Sequence, residues 1–170
     1  MRRYLVVANQ TLRLPPLHAQ VRKLLAPGPC EFAVVVPWSC MVDKNTSAEA
    51  AEVAASERLD DALERWRAWG ATAAGELTGT SPIVAIGDAL RRAPFDAIIL
   101  STLPPGTSRL VTPDAPRRIE RAYGVPVISV VAYPTTVDID GEGTHADRDD
   151  LSRSARDEHL RPTRQGLPGS

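Results

Sequence analysis

The chain has 170 residues, 43% of them apolar and 24% charged, which suits one domain with a real core. Its 20 basic and 21 acidic residues leave a net charge of −1, excluding a strong bulk attraction to nucleic acid or acidic membranes. The two cysteines, Cys30 and Cys40, have a strand between them and match neither a metal-ligand spacing nor a redox CxxC pair, so they read as reduced thiols of a cytoplasmic protein.

The opening "MRRYLVVANQ" carries two arginines but an apolar run too short for a signal peptide, and reads as a first strand over 2–8. No stretch approaches 18 apolar residues, so no membrane span is expected. Pro15 and Pro16 suit the first turn of a helix whose stripe is Leu17, Val21, Leu24 and Leu25, stopped by "APGP" at 26–29. "EFAVVVP" (31–37) is continuously apolar, as a parallel strand covered on both faces requires. A loop over 38–47 follows, with Thr46 and Glu49 spaced as a capping box.

The segment 47–69 places Ala55, Leu59, Ala62, Leu63, Trp66 and Trp69 at spacings of three and four, predicting a long amphipathic helix ended by Gly70. "ATAAGELTG" (71–79) is a weaker third strand. Ser81 and Pro82 open a helix with Ile83, Ile86 and Leu90 as its stripe. "FDAIILS" (95–101) is a fourth strand, Thr112 or Asp114 caps a helix running to Gly124, and "VPVISVVAY" (125–133) is a fifth strand. The alternation βαβαβαβαβ implies a doubly wound, Rossmann-like parallel sheet with helices on both faces, over residues 1–133. From Pro134 to Ser170 acids outnumber bases and large apolar residues are few, so 134–170 is expected to be a disordered charged tail, with a transient helix at 147–160.

In such a sheet ligands bind beyond the carboxyl ends of the strands. There the sequence places Ala8, Asn9 and Gln10 after the first strand and Val36, Pro37 and Trp38 after the second. Asn9 either hydrogen-bonds a ligand or satisfies turn backbone, and Trp38 either lies against a planar ligand or packs. "STLPPGTSRL" (101–110) follows the fourth strand. Ser101, Thr102, Thr107 and Ser108 offer hydroxyls, Gly106 admits close backbone approach, and Arg109 can pair with a phosphate. Pro104 and Pro105 remove N–H groups that a phosphate nest needs, and Asp114 adds a negative charge at the following helix. His18, His145 and His159 avoid the strand ends, so no Ser–His or Cys–His device is expected, and no metal cluster is evident. "PRRIER" (116–121) and the Asp60–Asp61 pair read as solvated helix faces.

"RRYLVVANQT" (2–11), "FDAIILST" (95–102) and "RRIERAYGVPVISV" (117–130) together resemble the universal stress protein family, within the adenine nucleotide alpha hydrolase-like group. The resemblance spans about residues 2–132 and implies a sheet of strand order 3-2-1-4-5. ATP-binding members carry Gly-x2-Gly-x9-Gly-Ser/Thr after the fourth strand. Here its points fall on Leu103 or nearby, on Gly106 (Pro105 without a gap), and on Pro113–Asp114. The acidic residue that contacts adenine in the family corresponds to Asn9. The resemblance therefore implies a cytoplasmic, stress-related binding protein outside the ATP-binding branch, homodimeric through the last strand. Two alternatives stay open: an adenine-nucleotide protein taking ATP or AMP and hydrolysing it slowly, and an interaction module acting through the tail.

Overall fold

The computed structural model describes residues 1–133; the expectations for the tail, the helix at 147–160, His145 and His159 lie outside the described residues. Five strands and four α-helices alternate: β1 (Arg2–Val7), α1 (Pro15–Leu25), β2 (Cys30–Pro37), α2 (Ala48–Ala68), β3 (Thr72–Thr78), α3 (Pro82–Arg92), β4 (Ala97–Thr102), α4 (Ala115–Tyr123) and β5 (Val127–Val131). All pairings are parallel and the order is β3-β2-β1-β4-β5. The strand order reverses between β1 and β4, which makes their carboxyl ends the topological switch point.

Alternate residues of the central strands feed two cores. Tyr4, Val6, Phe32, Val34 and Ile99 face the α1 and α2 side, where Leu17, Val21, Ala55, Leu59 and Trp66 cover them. Leu5, Val7, Val35, Ile98 and Leu100 face the α3 and α4 side, under Ala85, Ile86, Ala89 and Ile119. Trp66 is fully buried and packs on Phe32 with ring centroids 5.7 Å apart, while Phe32 stacks on Tyr4 at 5.5 Å. The small residues of β3 have a steric cause. A Cβ on Gly75 would stand 2.6 Å from Leu59 Cδ1 and 3.1 Å from the Val34 carbonyl, so the glycine lets α2 lie close over the sheet edge.

Several local expectations change. The α2 cap is Ser47, whose Oγ accepts the Ala50 N–H at 3.1 Å, so Thr46 and Glu49 do not form the capping box. A serine adjacent to the first helical residue has the extended backbone that the cap position demands. In α3 the buried stripe is Pro82, Ala85, Ile86 and Ala89; Ile83 is exposed and Leu90 only partly covered, because the helix rolls its small residues onto the sheet. Asp114 holds the α4 cap position but its carboxylate accepts from Thr112 Oγ1 at 2.6 Å instead of capping. β4 and β5 occupy 97–102 and 127–131 rather than 95–101 and 125–133. Two short 3-10 turns, Gln10–Arg13 and Ser39–Met41, had no sequence signal.

The first of these turns is anchored by α1. His18 Nε2 lies 2.9 Å from the Leu12 carbonyl, and the ring meets Trp69 edge-on at 5.6 Å. Burial pushes the His18 pKa below its ordinary 6.5, with the nearby Arg65 adding to the effect and the Leu12 contact opposing it.

Ser47→Ala is expected to cost about 1 kcal/mol in urea unfolding, whereas Thr46→Ala should leave the midpoint unchanged. For His18 the folded pKa is depressed, so the unfolded chain binds the proton more readily. Stability present above pH 6.5 is then lost as the pH falls through 6.5 toward the folded value. An NMR titration of the ring should give a midpoint below 6.5; a midpoint above it would contradict the packing described.

Candidate functional site

β1 delivers Asn9 to the centre of the strand ends, and the residue is buried. A buried carboxamide is costly unless its atoms are bonded. Asn9 Nδ2 donates to the Pro37 carbonyl at 2.7 Å, and its Oδ1 accepts from Arg58 Nη1 at 2.9 Å. The side chain thus links the ends of β1 and β2 to the middle of α2. Beside it, Thr11 Oγ1 donates to the Ser101 carbonyl at 3.1 Å, tying the first 3-10 turn to β4. Ser101 is itself buried, and its Oγ has no hydrogen-bond partner.

The loop after β4 spends several of its donors on itself. The Pro104 carbonyl accepts the N–H groups of both Thr107 and Ser108 at 3.0 Å. Ser108 Oγ accepts the Leu110 N–H at 3.3 Å, and the Ala115 N–H donates to the Thr112 carbonyl at 3.0 Å. Pro104, Pro105, Pro113 and Pro116 have no N–H to offer. Gly106 turns the loop with φ +88°, in the left-handed region that favours glycine.

Arg109 reaches across to the loop after β2, where its Nη1 meets Asp43 Oδ2 at 2.5 Å. The Arg109 guanidinium, and then the Asn45 N–H, hold the Asp43 carboxyl below its usual range. Both partners are partly exposed, so the pair is a bridge between loops rather than a core ion pair.

Between these loops and α2 lies a cavity of about 390 Å³. Its polar wall is Gln10, Thr46 and Thr107, its charged groups are Asp43, Arg58 and Arg109, and Met41, Ala50, Ala54 and Leu103 make its apolar side. At the β1–β4 junction itself, among Asn9, Thr11, Met41 and Ser101, about 10 Å³ remains, too little for a ligand. A third space of about 160 Å³ on the α4 side is lined by Thr102, Ser108, Thr112 and Ser129 with Pro105 and Pro113.

The expected site residues therefore separate. Gln10, Thr107 and Arg109 line the larger cavity. Thr102 and Ser108 border the α4-side space, and Gly106 is exposed at the loop tip. Ala8 and Val36 are fully buried in the α1/α2 core, and buried Pro37 offers its carbonyl to Asn9. Trp38 packs against the same core and stands where a Cβ on Gly79 would come within 3.1 Å of it.

Sequence reasoning missed Asp43, Thr46 and Arg58. A signal for Arg58 existed: it follows Ala51 and Ala54 at spacings of three and four, on a row flanking the buried stripe. Burial lowers the Arg58 pKa, the nearby Arg13 lowers it further, and Glu57 opposes both. Among the described residues no group of three His, Cys, Asp or Glu could hold a metal ion, and no helix is long and apolar enough to cross a membrane. Cys30 and Cys40 are free thiols.

No protein-family model matches the chain, and neither does any curated protein sequence. Solved structures do. A protein from the universal stress protein family of Burkholderia pseudomallei is similar at 18% identity with a TM-score of 0.51, over 75% of this chain and 94% of that one. The universal stress protein of Archaeoglobus fulgidus is similar at 20% identity and TM-score 0.48, over 76% and 93% of the two chains. Its structure in complex with dAMP gives 20% and 0.47, over 76% and 98%. At such identities the likeness is one of architecture, and with its five-stranded parallel sheet in order 3-2-1-4-5 the chain has the α/β fold of the universal stress protein family.

Proposed function

We propose that the chain is a non-catalytic regulatory binding protein of the universal-stress-protein type, working in the cytoplasm and binding ATP only weakly. The observation that carries this reading is the loop after β4. Its N–H groups are absent at Pro104, Pro105 and Pro113 and engaged internally at Thr107, Ser108 and Leu110, which removes much of what a triphosphate nest needs. Asn9 adds support, because both ends of its carboxamide are already engaged. His18 is engaged by the Leu12 carbonyl and the Trp69 ring, which favours a structural role for it and so binding over catalysis. A stress-related role rests on the family resemblance alone.

A second reading, an adenine-nucleotide protein, draws on one observation: Thr107 and Arg109 line a cavity of about 390 Å³, which is within the small-ligand range. Titration calorimetry with ATP and magnesium, with AMP as control, separates the two. The first reading expects a Kd weaker than about 1 mM, ~4 kcal/mol of binding. Micromolar binding that weakens about tenfold, ~1.4 kcal/mol, in Arg109→Ala would establish the second.

Self-association is proposed through β5, a sheet edge that carries exposed Val131 and is followed by exposed Tyr133. An unpaired apolar edge favours strand addition by a second copy. Sedimentation velocity should show a dimer that Val131→Lys converts to monomer; a monomeric wild-type chain would remove this part of the proposal.

A further inference from the structure

Three charged residues line the 390 Å³ cavity: Asp43, Arg58 and Arg109. Asp43 and Arg109 neutralise each other across the two loops. Among the described residues Arg58 forms no salt bridge; its hydrogen bond goes to the neutral Oδ1 of Asn9, through Nη1, and the neighbouring Glu57 offsets Arg13 only in part. The guanidinium is half-buried in the wall, and the Asn9 contact fixes the planar group against the end of β1. A guanidinium has five N–H donors, so four remain for a ligand. Arg13, a cation that acts on Arg58 from outside the cavity lining, is already paired with Asp61 at 2.5 Å. A partly desolvated cation without a counter-charge is unfavourable unless something supplies the charge.

We propose that Arg58 is the anchor of a binding site for small organic oxyanions, compounds bearing a carboxylate or phosphate monoester on a compact apolar body. This rests on the reading of the chain as a binding protein, and it names the ligand chemistry. The oxyanion takes the fork of Arg58 bidentately. The body lies on Ala50, Ala54 and Leu103, and Thr107 supplies a hydroxyl. The charge of the anion is thus met from α2, and the proline-rich loop adds only the Thr107 hydroxyl.

The test is calorimetry of the whole chain with phenyl phosphate and benzoate, and with benzyl alcohol as the neutral analogue. At least one of the two anions should bind and the alcohol should not; which anion binds tells phosphate ester from carboxylate. Arg58→Gln should weaken that binding at least tenfold. Arg58→Lys keeps the charge but loses the fork, and should fall between wild type and Arg58→Gln. It also serves as the readout should the glutamine variant fail to fold. Arg13→Gln should stay within about twofold, since that charge is already paired. Overturning results are silence with both anions, equal binding of the alcohol, undiminished affinity in both Arg58 variants, or an equal loss in Arg13→Gln. The weak-ATP reading fails separately, on tight ATP binding, and survives silence with these probes.

Discussion

One carboxamide sets the geometry of the strand ends. Asn9 is buried where β1, β2 and α2 converge, and each of its polar ends reaches a different element. Position 9 also decides the charge of the site. An aspartate there would pair with Arg58 and cancel it, while asparagine orients the guanidinium and leaves its charge unbalanced. Thr11, two residues on, fastens the same turn to β4 through the Ser101 carbonyl. The space at the sheet's switch point is therefore filled by protein, and the room for a ligand moves sideways, under α2.

The loop after β4 completes that displacement. Proline fixes φ and removes donors, so a segment with Pro104, Pro105 and Pro113 is stiff where a phosphate loop must offer amides. Folding it around the Pro104 carbonyl consumes more of them. The loop instead contributes side chains, and Arg109 reaches over the cavity to Asp43. Because that ion pair is solvent-exposed and screened by salt, it closes the rim without locking it.

The architecture was legible because it rests on long-wavelength signals. "EFAVVVP" has the continuous apolar run of a doubly covered parallel strand, and the spacing from Ala55 to Trp66 is that of a helix on a sheet. The fine structure was not. Whether Thr46 or Ser47 caps α2 depends on a one-residue difference in backbone angle, and the 3-10 turn at Gln10–Arg13 is held by His18 from the next helix and by Ser101, 90 residues from Thr11 in the chain. The cavity wall from α2 was hidden for a similar reason. Arg58 looks like any charged residue on an exposed helix face until tertiary packing sets Asn9 against it, 49 residues away in the chain.

The two faces of β3 place unequal demands on the sequence. Toward α2, Ala73 is buried and Gly75 leaves no room for a methyl group. Toward α3 the sheet is wider than its helices. A groove of about 300 Å³ opens there over Ala74 and Glu76, spanned by the Glu76–Arg92 ion pair. The strand therefore carries two rates of tolerated change, alternating residue by residue. At Ala73 and Gly75 the first row is tightly bounded, with a large side chain only at Leu77 toward the strand's end, and the other row accepts side chains of many sizes and charges. Drift concentrated on the open row would alter the protein's outer character at this edge while its packing, and hence its fold, stayed fixed.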